Sequence, residues 1–97
     1  VWTAADRKIA SIGVHVARGV TTHGFAINVC NDLQPFGWVV ACGLADVQMT
    51  SVAEETGGEA PPLPAVRASI AARFAQAFGL TPVTVPVDRV DAAAAAA

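Results

Sequence analysis

Cys42 closes the apolar run Val39-Val40-Ala41 and is followed at once by Gly43-Leu44. The run reads as a strand. A thiol at a strand end, beside a small residue, suits a nucleophile held at the rim of a sheet. Thiols are strong nucleophiles near neutral pH because a few per cent is already thiolate. A cysteine in an apolar run also serves as a small core hydrophobe, so the chemistry needs a second group that raises the thiolate fraction. Lys8, at the start of another expected strand, is the candidate. An ammonium within about 4 Å of a thiol favours the thiolate by up to about 4 kcal/mol at an effective dielectric near 20. That is worth roughly three pH units before desolvation is subtracted. The same amine can then return and take protons as general acid and base. Spacing alone favours Lys8 as a solvated turn residue.

Other constellations fall away. His15, His23, Cys30 and Cys42 lack the short paired spacings of structural zinc sites, so no metal is expected. There is no G-x-x-x-x-G-K and no G-x-G-x-x-G, so no nucleotide cofactor is expected. Two cysteines are too few for a disulfide scaffold and point to a reduced, cytoplasmic setting. The net charge of −2, with six scattered basic residues, gives nucleic acid no surface to bind. No run of about 18 apolar residues exists to span a membrane, and no signal peptide is visible. The missing initiator methionine suggests that Val1 is not the natural start.

Ninety-seven residues allow one small domain with a modest core. The Ala92–Ala97 run inflates the apolar fraction of 54% and is set aside as a tail. Val1-Trp2-Thr3 reads as a strand end and Ala4–Arg7 as a tight turn. Lys8–Val16 reads as a strand, with Lys8, Ala10, Ile12, Val14 and Val16 on its more apolar face. Gly13 leaves room for a backbone or ligand to approach. Arg18–Thr22 is a connection and His23–Val29 a second strand, again with a glycine near its start. Asn31–Phe36 is a loop with one helical turn, and Trp38 leads the run into Cys42. Thr50 or Ser51 caps a short helix through Glu55, ended by Gly57-Gly58. Pro61, Pro62 and Pro64 mark a linker and a helix start. Leu63–Phe78 is the clearest helix, with Leu63, Val66, Ile70, Phe74 and Phe78 as a core stripe and Gly79 as terminator. Leu80–Val90 reads as an edge or tail. The pattern is α+β: a mainly antiparallel sheet with packed helices.

These residues also resemble a known family. Arg7–Gly13, then His23–Val29, then Asp32-Leu33 with Phe36, then Ala41-Cys42-Gly43 are similar to lipoyl(octanoyl) transferase in order and spacing. Thr50–Glu55 and the following helix look like the family's continuation. The resemblance runs from Val1 to about Gly79. It implies a biotin/lipoate-protein-ligase-like fold, here incomplete. It implies Cys42 as the nucleophile that carries the octanoyl group as a thioester, and Lys8 as the residue that lowers its pKa. Ser11, Ile12 and Gly13, and Gly24, Phe25 and Ala26, align with two substrate-binding strips. The implied reaction moves octanoate from acyl carrier protein to a lysine of a lipoyl domain. Such domains occur in 2-oxoacid dehydrogenase complexes and the glycine cleavage H protein. No ATP is needed, which agrees with the missing nucleotide loop.

Two departures stand out. Ala41 occupies the place where the family usually has proline, which alters the local backbone preference. The family is also longer, and its Arg-Gly-Gly and Thr-x-His-Gly strips have no match here. Residues 1–91 are therefore expected to be the C-terminal part of a single octanoyltransferase catalytic domain, with 92–97 an alanine tail. Cys30 has no implied role. The competing reading is a non-catalytic fragment or interaction module of the same fold. An ATP-dependent ligase of the related fold would leave Cys42 idle.

Overall fold

A computed structural model describes residues 1–39 and 46–96. The chain divides into two compact units, Val1–Pro61 and Pro62–Ala97.

The first unit is built on an antiparallel hairpin of β1 (Ala10–Ala17) and β2 (Val20–Ile27). The strands pair from Ala10↔Ile27 to Ala17↔Val20. The connection is shorter than the expected Arg18–Thr22. Arg18 (φ 53°) and Gly19 (φ 76°) make the whole turn. Two central residues at positive φ match the right-handed twist of the flanking strands, so pairing starts at once and draws Val20–Thr22 into β2.

At its other end the hairpin does not simply stop. The Ile9 carbonyl accepts from the Asn28 N–H at 3.0 Å, one step past the ladder. Lys8, expected inside the first strand, instead forms single bridges on both sides: antiparallel to Trp2 and parallel to Met49. The tight turn at 4–7 makes the first of these possible. Asp6 sits at φ 60°, and its N–H reaches the Thr3 carbonyl at 3.0 Å.

Between hairpin and bridge runs a 3-10 helix, Gln34–Trp38, with proline in its first turn. The Asp32 carboxylate accepts from the Gln34 N–H at 2.9 Å and sets its start. Trp38, expected to lead a strand, closes this helix, and Val39 is extended. The rest of that expected strand, Val40–Leu44, lies outside the described residues.

The short helix α1 (Val52–Glu55) begins on Ser51, whose hydroxyl accepts from the Glu54 N–H at 3.2 Å. Of the two candidate caps, Ser51 holds the place, and its neighbour's hydroxyl is left for another use. Gly57 and Gly58, both at positive φ, follow the helix end as expected.

The second unit holds α2 (Leu63–Phe78) and α3 (Val87–Ala96). Pro64 fits the first turn of α2, where an N–H is unbonded in any case. Gly79 (φ 65°) ends it, with the Leu80 N–H on the Ala75 carbonyl at 2.8 Å and the Gly79 N–H on Gln76 at 3.4 Å. This is a Schellman closure. Leu80–Val90 was read as an edge or tail. Its first part is irregular, but from Val87 the chain is helical, because alanine, a strong helix former, carries the turn onward through the run.

The apolar face of the hairpin exists but is uncovered. Ile12 is 70% exposed, and Val14, Val16 and Phe25 are exposed as well. The expected core stripe of α2 is likewise open at Leu63, Phe74 and Phe78, and the buried residue of the helix, Ala75, lies off that stripe. A chain this short has too little surface to enclose both faces. No helix of the described residues is long and apolar enough to cross a membrane.

Gly79→Ala places a β-carbon in the left-handed region and is expected to destabilise the second unit by about 1 kcal/mol. Urea unfolding followed by circular dichroism measures it.

Candidate active site around Lys8

Lys8 is 6% exposed, an uncommon state for a lysine. Its N–H donates to the Gln48 carbonyl at 2.8 Å, and its carbonyl accepts from the Thr50 N–H at 2.9 Å. The chain that passes through Cys42 therefore returns to Lys8 six residues after the cysteine. Cys42 itself lies outside the described residues, as do Ala41 and Gly43.

The buried residues around this crossing are mostly polar. Thr50 is fully buried, Ser51 is 2% exposed, and Ala10 and Val29 complete the set. Asn28 ties three segments together. Its N–H goes to Ile9, its side-chain amide donates to the Thr50 carbonyl at 3.1 Å, and its own carbonyl accepts from the Val52 N–H at 3.0 Å. The Asn31 amide donates to the Asn28 side-chain oxygen at 3.1 Å, fixing its orientation.

Arg7 closes the arrangement from outside. Its Nε and Nη2 donate to the two oxygens of Glu55, each at 2.8 Å. This is the bidentate geometry in which a guanidinium matches a carboxylate. The Thr50 hydroxyl lies 2.6 Å from Glu55 Oε1 and 3.4 Å from Glu54 Oε2. A hydroxyl has one hydrogen, so the shorter contact takes it. The hydrogen bonds from Arg7, then that from Thr50, bring the Glu55 carboxyl down to about 2, and the same pairing raises the Arg7 guanidinium.

The two expected substrate strips meet. Ser11, Ile12 and Gly13 are the direct cross-strand partners of Ala26, Phe25 and Gly24. Ser11 and Gly24 are half-buried, and Ile12, Gly13, Phe25 and Ala26 are exposed. A β-carbon built on Gly13 or Gly24 meets nothing within 4 Å, so the space beside this pair is open. Next to it, His23 has φ 69°. A non-glycine residue in that region costs about 1–2 kcal/mol, and such strain gathers at ligand sites. Cys30 is exposed, and no group of three or more metal-ligating residues occurs among the described residues.

Residue types alone did not single out Asn28, Thr50 or the Arg7–Glu55 pair as a unit. Asn28 carried one signal, a polar side chain inside the run Ala26-Ile27-Asn28-Val29. The pairing of Arg7 with Glu55 carried none, because the two lie far apart in the chain.

The family profile of the lipoyl protein ligase A/B catalytic domain matches residues 1–75. The chain belongs to this family, and the expected ligase-like fold goes with it. An octanoyltransferase of Pseudarthrobacter chlorophenolicus is 47% identical over 83 residues, covering 80% of this chain and 35% of that protein. One of Desulfovibrio desulfuricans is 47% identical over 78 residues, covering 80% and 32%. One of Frankia casuarinae is 48% identical over 77 residues, covering 76% and 35%. The chain thus spans about a third of the length of these relatives.

Glu55 supplies a pH test of the clamp. Its folded value lies below the ordinary carboxylate range, so its stabilisation is complete above about pH 5. It is lost as pH falls from there toward about 2. Thermal melts of wild type and Glu55→Gln are expected to differ by a few degrees at neutral pH. The two should converge as the pH approaches 2.

Proposed function

We propose that the protein carrying this chain is an octanoyltransferase. It moves an octanoyl group from acyl carrier protein to a lysine of a lipoyl domain, through a thioester on Cys42. The observation that carries this reading is the pairing of Ser11–Gly13 with Gly24–Ala26, on a hairpin whose first strand begins two residues after the buried Lys8. The names of the relatives support the same chemistry.

In this reading the Lys8 ammonium favours the Cys42 thiolate. The thiolate attacks the thioester carbonyl of the acyl carrier. The new C–S bond forms on Cys42, and the carrier's thiolate leaves and takes a proton from Lys8. The neutral amine of the acceptor lysine then attacks the Cys42 thioester. Lys8 accepts the proton this amine loses, an amide forms, and the Cys42 thiolate is regenerated. Conversion of a thioester to an amide runs downhill, so no nucleotide is consumed. The exposed Ile12–Phe25 pair and the open backbone at Gly13–Gly24 suit an alkyl chain, whose burial is worth about 0.8 kcal/mol per methylene.

The acceptors are lipoyl domains of 2-oxoacid dehydrogenase complexes and the glycine cleavage H protein, and the setting is the cytoplasm. Residues 1–91 form the C-terminal part of one catalytic domain, and 92–97 are a tail.

Full-length protein incubated with octanoyl-acyl carrier protein is expected to carry the acyl group on Cys42, read by mass spectrometry. Cys42→Ser abolishes the adduct, and Lys8→Ala slows transfer by roughly 100-fold. A Cys42 that stays unmodified in wild type overturns the reading.

A further inference from the structure

Lys8 is held through its backbone by the segment 48–50, and a cluster of polar side chains ties that segment to the residue before Lys8. The segment 48–50 pairs with Lys8 through two hydrogen bonds. Thr50 is the last residue of that segment, Glu55 follows five residues later, and Arg7 comes directly before Lys8. The Arg7 guanidinium grips both oxygens of Glu55, and the buried Thr50 hydroxyl donates to one of them. The ring so formed spans the Lys8 crossing: Arg7 on the incoming chain, Glu55 on the first helix after the return, Thr50 at the crossing itself.

We propose that Glu55, gripped by Arg7 and Thr50, is a positioning residue that holds Lys8 against the returning chain and so fixes where its ammonium can act. The proposal rests on the reading of Lys8 and Cys42 as a working pair. Two of its members adjoin the backbone bonds that fix Lys8: Arg7 is the preceding residue, and Thr50 itself donates one of the bonds. Its partners are rigid: a bidentate fork leaves the carboxylate no freedom to rotate, and Thr50 is fully buried. The carboxylate of Glu55 is also kept charged down to about pH 2, so the clamp stays closed across the pH range in which a thiol titrates.

The test follows the pH profile of Cys42 alkylation by iodoacetamide in the full-length protein, alongside kcat/KM for octanoyl transfer. Lys8→Ala is expected to move the Cys42 midpoint upward by about one to three pH units. Arg7→Ala, Glu55→Gln and Thr50→Val should each move it in the same direction by up to about one unit and lower kcat/KM roughly tenfold. Arg7→Ala combined with Glu55→Gln should do no more than either alone, because they open one contact. Glu55→Gln and Thr50→Val keep the shape of the site, so they report even where Arg7→Ala fails to fold. A purely structural clamp lowers melting temperature without moving the Cys42 midpoint; that result, with Lys8→Ala still shifting it, overturns the inference and leaves the Lys8–Cys42 pair standing. A midpoint unmoved by Lys8→Ala overturns the pair, and the inference with it.

Discussion

The first unit depends on the backbone of one residue. Lys8 lends its N–H and its carbonyl to the chain returning at 48–50, and bridges to Trp2 on the other side. Lys8 is also buried, and burying a lysine is costly unless polar groups are at hand. The residues that surround the crossing meet that need. Asn28, Thr50, Ser51 and Glu55 satisfy one another and the backbone, and no buried side-chain nitrogen or oxygen among the described residues lacks a partner. The small core is thus a hydrogen-bonded joint more than an oily one, which makes it directional. Joints of this kind specify one arrangement where apolar packing would tolerate several.

The hairpin follows a different logic. Its two-residue turn fixes the register, and the register alone brings Ser11–Gly13 opposite Gly24–Ala26. A slip of one residue would send every side chain to the other face, so the alignment of the two strips is a consequence of Arg18 and Gly19 adopting positive φ. The apolar side chains along the hairpin stay open to solvent. A two-stranded ribbon is marginal by itself in water, and relatives of this family are about three times as long as the stretch they share with this chain.

Much of the local structure was legible in the residues. Ser51 and the acids after it mark a helix start, Gly79 marks a helix end, and the period of Leu63–Phe78 marks the helix between them. These signals are local because capping and periodicity act over three or four residues. Two readings gave way for equally local reasons. The turn at Arg18-Gly19 is tighter than a five-residue connection, and from Val87 the chain is helical where the stretch to Val90 is expected to be an edge or tail. The α2 stripe had the right spacing for a core, but periodicity states which face is apolar and not whether anything covers it.

The sequence by itself marked the hairpin, the short capped helix and the long helix in their order, the α+β class, and Lys8, Cys42 and two glycine-bearing strips as candidates. The helices, turns and class follow from residue type and short-range spacing, whereas the roles of Lys8, Cys42 and the two strips are what the resemblance to a known family implies. The tertiary structure decided what those cannot express: that Lys8 is buried at a chain crossing, that the strips are cross-strand partners, and that Arg7, Thr50 and Glu55 close a ring around the crossing. Arg7 and Glu55 meet across most of the first unit. A contact of that range is set by where the chain returns, and no pattern within a few residues of either side chain encodes it.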